Sequence, residues 1–183
     1  MQQKETQLKT HILNKKITDI EFYNINDNYF VFDPESTWVF DGGIQIKFDN
    51  EVFSFGWNNA ERGFDYSIEN TLEDFFGDLD TYPIEAKKIE GANNLIGLEI
   101  LDLEIEWGFY REYDENFELK DEKIYMPVGL LFKFSDNKFL NVALIKFAVT
   151  KDPFKIVNAQ YDLDGGLYIS LNNDLEIAKI ETE

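Results

Sequence analysis

The chain reads as a mainly β protein: antiparallel sheets built from repeated hairpins, packed as a sandwich or as one strongly curved sheet, with one or two short helices. Three observations predict this. A Gly, an alternating apolar run, an Asn-containing turn and a second alternating run occur three times, as GIQIKFDNEVFSF at Gly43–Phe55, GLLFKFSDNKFLNV at Gly129–Val142 and GLYISLNNDLEI at Gly166–Ile177. That order of features is the signature of a β-hairpin. Apolar residues recur at every second position through these runs, which places them on one face of a strand. Hydrophobic residues make up 44% of the 183 and include 17 Phe, enough to fill a core without covalent staples.

Taken in order, residues 2–13 are expected as a short helical turn or a loose arm, with Leu8, Ile12 and Leu13 on one side. From Ile17 onward the period is two: in ITDIEF, Ile20 and Phe22 point one way and Asp19, Glu21 and Tyr23 the other. Strands follow at about Tyr29–Phe32, Trp38–Phe40, Gly43–Phe48 and Glu51–Trp57, separated by turn residues such as Asn26-Asp27-Asn28 and Asp33-Pro34. A two-residue turn at Asp49-Asn50 pairs Phe48 with Glu51, Ile46 with Phe53 and Ile44 with Phe55, so the register is self-consistent. The second copy needs a longer connection, which sets Phe134 opposite Leu140, Phe132 opposite Val142 and Leu130 opposite Leu144. In the third, a loop at Asn172-Asn173-Asp174 sets Leu171 opposite Leu175 and Ile169 opposite Ile177. Asn tolerates the left-handed backbone that such loops demand.

Between the first two hairpins, Thr71-Leu72-Glu73-Asp74 has the form of a capping box, Leu72, Phe75 and Phe76 make an apolar stripe, and Gly77 suits a helix end. ITDIEF at Ile17–Phe22 matches ILDLEI at Ile100–Ile105, each upstream of a hairpin. The expectation is a single domain, 1–183, with two similar β-units at about 17–60 and 97–180 as its internal organisation. A helical and loop segment, 62–95, would join them, Arg62–Pro83 serving as linker or lid and Glu90–Leu95 as a second loop.

Composition excludes several chemistries. There is no cysteine, so disulfides, thiolate catalysis and Cys-based metal centres are out. His11 is the one histidine, and it sits in a polar segment without a motif, so a His-based triad or metal site needs more than this chain offers unless His11 folds inward. No Gly-rich phosphate loop or dinucleotide fingerprint occurs. Thirty-six Asp and Glu against 17 Lys and Arg give a formal net charge of −19. A surface of that sign repels nucleic acid and anionic lipid and steers basic proteins inward. The opening MQQKETQLKTHILNKK is polar, and no segment approaches the apolar length of a membrane helix. A cytoplasmic protein with no cofactor, no nucleic-acid partner and no membrane partner is therefore the expectation.

Two acidic clusters are the candidate contact residues for a basic partner. In Leu101–Trp107, Asp102, Glu104 and Glu106 alternate with Leu101, Leu103, Ile105 and Trp107, lining three carboxylates along one face about 7 Å apart. Such a ladder receives Lys and Arg from a partner, holds a hard cation if a neighbouring strand supplies more oxygens, or is a solvated face balanced by cross-strand Lys. The helix region adds Glu69, Glu73, Asp74, Asp78 and Asp80. Asp162-Leu163-Asp164-Gly165-Gly166 has the opening of a calcium loop without its remaining ligands, and reads as a turn feeding the third hairpin. Trp38, Trp57 and Trp107 are core or sheet-surface residues, or stacking platforms if paired carboxylates act on a carbohydrate.

A small, acidic, cysteine-free β protein carrying the hairpin string GIQIKFDNEVFSFGW resembles the immunity proteins of bacterial polymorphic toxin systems, which cover a toxin domain. The resemblance implies a non-catalytic cytoplasmic inhibitor that occludes a basic protein partner, and it carries no residue roles with it. A structural or scaffolding β domain is the alternative, and a carboxylate-based carbohydrate-active protein the third reading.

Overall fold

The computed structural model describes residues 1–25, 30–32, 37–84, 89, 91–151 and 153–179. Its elements are α1 (Gln2–Ile12), β1 (Asp19–Asn24), β2 (Phe30–Phe32), β3 (Thr37–Phe40), β4 (Gly42–Phe48), β5 (Glu51–Asn58), β6 (Gly63–Ser67), α2 (Leu72–Phe76) and β7 (Tyr82–Ile84) in the first half. The second half adds β8 (Ile100–Tyr110), β9 (Ile124–Phe134), β10 (Phe139–Val149), β11 (Ile156–Tyr161) and β12 (Gly166–Ser170). Two antiparallel sheets result, one ordered β6-β5-β4-β1-β7 and the other β2-β3-β12-β10-β9-β8, with β11 also on β10. Their inner faces share one apolar core that takes in Ile20, Phe22, Ile46 and Phe53 from the first sheet and Trp38, Leu130, Phe132 and Ile169 from the second. Across it the rings of Phe53 and Phe132 meet edge to face at 6.0 Å. This is the sandwich that the alternating runs predict.

The first hairpin has the expected register, Ile46 opposite Phe53 and Ile44 opposite Phe55, with Asp49 at φ 44° in its turn. The second is slipped by two residues from the expectation: Phe132 faces Leu140 and Leu130 faces Val142. Asp136 and Asn137 both take positive φ, at 66° and 54°. They close the connection in three residues, Ser135–Asn137, so the Phe134 N–H reaches the Lys138 carbonyl at 2.9 Å. A slip of two preserves the face of every side chain, so the core is unaffected.

The third hairpin does not form. Both edges of β12 are taken, one by β10 and the other by β3, which leaves no edge for residues 175–177. The C-terminal segment instead crosses the outer face of the second sheet, where Leu175 and Ile177 pack on a cluster of Val39, Ile145, Ala159 and Tyr168. Ala178 holds it there through bonds with Ala159 and Tyr161. The segment expected as linker or lid is also different: β6 and β7 add strands to opposite edges of the first sheet. The N-terminal arm is an 11-residue helix whose Leu8 and Ile12 enter the core. The turns expected at 26–28 and 33–34 lie outside the described residues.

The match between ITDIEF and ILDLEI extends to pairing. Ile20 faces Ile46 and Phe22 faces Ile44, while Leu103 faces Phe132 and Ile105 faces Leu130. The order β1-β4-β5 thus recurs as β8-β9-β10 with corresponding registers. The two ranges also interlock, because β2 and β3 leave the first and join the second sheet through β12.

α2 covers the outer face of the first sheet. Leu72, Phe75 and Phe76 form its apolar side and pack with Tyr23, Ile25 and Trp57. The capping box forms as expected, and the Leu72 N–H donates to the Gln45 Oε1 at 2.9 Å. The helix can sit this close because Gly43 faces Gly56 beneath it. A Cβ on Gly56 would lie 2.7 Å from the Gly43 Cα and 2.9 Å from a Leu72 methyl. Gly56→Ala should therefore lower stability by about 1–3 kcal/mol, the range for overpacking. A urea unfolding midpoint equal to that of the unaltered protein would contradict this packing.

Candidate functional site

The carboxylate ladder forms on the outer face of β8, with an irregularity at each end, an extra residue on β8 at Leu101 and one on β9 at Val128. Register shifts between Ile100 and Asp102 and between Glu106 and Trp107. The first turns Leu101 outward, where it is 54% exposed, rather than inward with Leu103 as alternation alone predicts. Lys133, directly opposite Asp102 on β9, ion-pairs with Asp102 at 3.2 Å and also with Glu104. Glu106 pairs with Lys179 of the C-terminal segment at 3.0 Å. The Lys133 hydrogen bond holds the Asp102 carboxyl below its ordinary value, and Glu104 followed by Asp102 raises the Lys133 ammonium. Two lysines thus offset three carboxylates.

The same arrangement stands at the corresponding place in the first sheet. Lys47 lies 3.3 Å from Asp19 and 2.8 Å from Glu21, and the Lys47 ammonium is raised chiefly by its bond with Glu21. A charge triplet present in both three-strand units is cross-strand pairing of a sheet face.

Beside the ladder, the C-terminal segment roofs a cavity of about 280 Å³ lined by Glu104, Glu106, Asn141, Tyr161, Asn173 and Leu175. Burial, with Glu106 adding to it, pushes the Tyr161 phenol up to about 12. The phenol is neutral there and faces carboxylates that are already lysine-paired.

The helix cluster is differently placed. Glu69, Glu73, Asp74, Asp78 and Asp80 are all exposed. Asp74 is committed to the cap, accepting from the Thr71 N–H and Oγ1 at 2.8 Å each, and those bonds lower its carboxyl. Among the described residues no ion pair reaches Glu69, Glu73, Asp78 or Asp80.

The remaining sequence candidates become structural. His11 lies against the first hairpin, with Nδ1 2.9 Å from the Glu51 carboxylate and Nε2 3.2 Å from the Val52 carbonyl. Asp162 closes the β11–β12 turn by accepting from the Asp164 N–H at 2.9 Å. Trp38 is 1% exposed in the core, which removes it as a stacking platform. Trp57 packs edge-on against Phe64 at 5.7 Å. Trp107 is half-buried, and its indole N–H finds no acceptor among the described residues.

Sequence reading missed the far half of the β8–β9 hairpin. β10 pairs with β9 only from Gly129 to Lys133, so Trp107–Tyr110 and Ile124–Pro127 pair only with each other and carry the connecting loop away from the sheet. At its base, Tyr110 and Tyr125 meet Lys4, Asp65, Tyr66 and Leu163 around a cleft of about 380 Å³. Burial, then the charges of Glu112, Asp65 and Glu61, raise the Tyr110 phenol. The available signal was Tyr110, Tyr113, Phe117 and Leu119 set singly in a run that is otherwise charged or polar.

The Tyr161 shift fixes a pH dependence. The unfolded phenol loses its proton near pH 10, whereas the folded one keeps it to about 12. The stabilisation is present below 10 and is lost as pH rises through that window. Thermal midpoints should fall between pH 10 and 12, and Tyr161→Phe should flatten the fall. Equal slopes in both proteins would contradict the assignment.

No helix of the described residues is long and apolar enough to cross a membrane. No family model, curated protein or solved structure matches the chain.

Proposed function

We propose that the protein is an acidic binding module, a cytoplasmic inhibitor that occludes a basic protein partner in the manner of the immunity proteins its first hairpin resembles. The observation that carries this reading is the pairing of a −19 net charge with a carboxylate cluster at α2 that no lysine or arginine among the described residues neutralises. Glu69, Glu73, Asp78 and Asp80 are exposed and free of ion pairs among the described residues. Their field accelerates encounter with a cationic surface, and the rigid sandwich behind them then blocks that surface sterically. Asp74 lies in the same patch through its role at the cap. Asp102, Glu104 and Glu106 contribute the longer-range field of the second sheet, with Lys133 and Lys179 reducing it.

The test is a tagged pull-down at low salt with stepwise salt elution. One stoichiometric basic protein should come off, and an empty eluate would overturn the reading. With that protein in hand, replacing Glu69, Glu73, Asp78 and Asp80 by Lys should slow association by about tenfold or more and flatten its dependence on ionic strength. The same exchange at Asp102 and Glu104 should do less, because Lys133 already meets both. Association rates identical to the unaltered protein in the α2 variant would remove this cluster from the interface.

A further inference from the structure

The loop at the end of the β8–β9 hairpin presents apolar side chains that folding does not use. Every residue from Arg111 to Glu122 except Asp114 is exposed. Phe117 at its tip is 86% exposed, Tyr113 62% and Leu119 53%. An exposed aromatic on a loop is common singly; several gathered at the end of a projecting hairpin mark a contact surface.

The tip is also held in shape. Leu119 bridges to Tyr113, and the Lys120 N–H bonds to the Glu112 carbonyl at 2.8 Å. Above them the Asp114 carboxylate accepts from the Asn116 N–H at 2.8 Å and from the Glu118 N–H at 2.9 Å. Those bonds lower the Asp114 carboxyl. Phe117 itself takes φ 62°, a left-handed conformation unusual outside Gly, Asn and Asp, and its N–H bonds to the Asp114 carbonyl at 3.1 Å. A strained backbone that holds a phenyl ring out in water adds nothing to the core. It does remove the ordering cost of a contact made later.

Charge identifies the occupant. The run from Tyr110 to Lys123 holds Glu112, Asp114, Glu115, Glu118, Asp121 and Glu122 against Arg111, Lys120 and Lys123. Lys120 is paired with Glu112 at 2.7 Å, and the Lys123 ammonium lies 3.8 Å over the Phe109 ring. A second copy would bring two such fingers and two −19 chains together, which electrostatics opposes. We infer that the β8–β9 finger inserts Phe117, flanked by Tyr113 and Leu119, into an apolar pocket rimmed by Lys and Arg on a basic protein partner. This rests on the reading of the chain as a binding module for such a partner, and it names the residues that anchor the complex once charge has formed it.

The experiment places a photo-crosslinking phenylalanine analogue at position 117 and, in separate proteins, at 73 and 101, within the cells that make the protein. The crosslinked species is identified, purified and titrated against unlabelled variants. A basic protein captured from 117, bound at least tenfold more weakly by Phe117→Ala and several-fold more weakly by Asp114→Ala, would support the inference. Phe117 is exposed, so its variant should unfold at the same temperature as the unaltered protein. A basic protein captured from 73 but not from 117, or one captured from 117 that binds Phe117→Ala undiminished, would overturn the finger and leave the binding module standing. Capture of a second copy through 117 would also overturn it. No basic protein from any of the three positions would overturn both.

Discussion

The structure depends on two sheet faces covering each other. Each alternating run leaves one apolar face that water would otherwise wet, and the two central hairpins, β4–β5 and β9–β10, present such faces at similar size and register. Their contact, seen most directly where Phe53 meets Phe132, fixes the distance and orientation of everything else. Burial of this kind is non-directional and scales with apolar area. It tolerates a two-residue slip in one hairpin, because parity and not exact register decides which face a side chain joins.

Once the inner faces are committed, the outer faces are left for different uses. The first sheet receives α2 over its paired glycines, Gly43 and Gly56. The second receives the C-terminal segment, which brings Leu175 and Ile177 onto the sheet and Lys179 to Glu106. In both sheets a lysine on the second strand of the repeated unit bridges an Asp and a Glu on the first. Exposed pairs of this sort add little stability, on the order of 0–1 kcal/mol each. Their effect is on the surface field, which they reduce on the strands, while no ion pair among the described residues reaches Glu69, Glu73, Asp78 or Asp80 on the α2 rim.

Binding surfaces on a rigid sandwich are carried by what extends beyond it. In the proposed binding role those would be the α2 rim, whose Glu69, Glu73, Asp78 and Asp80 meet no ion pair among the described residues, and the β8–β9 finger, where aromatic side chains stand among acids. For the proposed basic partner, the division would serve a two-step encounter, in which long-range attraction brings the surface in and a short-range apolar contact then holds it. The tyrosine-lined cleft at the base of the finger gathers both signs of charge, Lys4 and Arg62 with Glu61, Asp65 and Asp164.

The sequence by itself determined the fold class, the first hairpin to the residue, the cap of α2 and the match between Ile17–Phe22 and Ile100–Ile105, because period, turn chemistry and capping are properties of neighbours in the chain. Tertiary structure decided what depends on who else is present. Residues 175–177 had the alternation of a strand, yet both edges of β12 were occupied by β10 and β3, and edge competition is invisible locally. Gly63–Ser67 and Tyr82–Ile84 looked like connection because each is short, and they became strands only when β5 and β1 offered free edges. The ladder of Asp102, Glu104 and Glu106 was legible as a row of carboxylates; its lysines arrive from 29 or more positions away along the chain, and no spacing rule reports them. The finger was hidden for a related reason: a hairpin becomes a projection only where the next strand stops pairing, and where β10 leaves β9 is settled by the whole sheet.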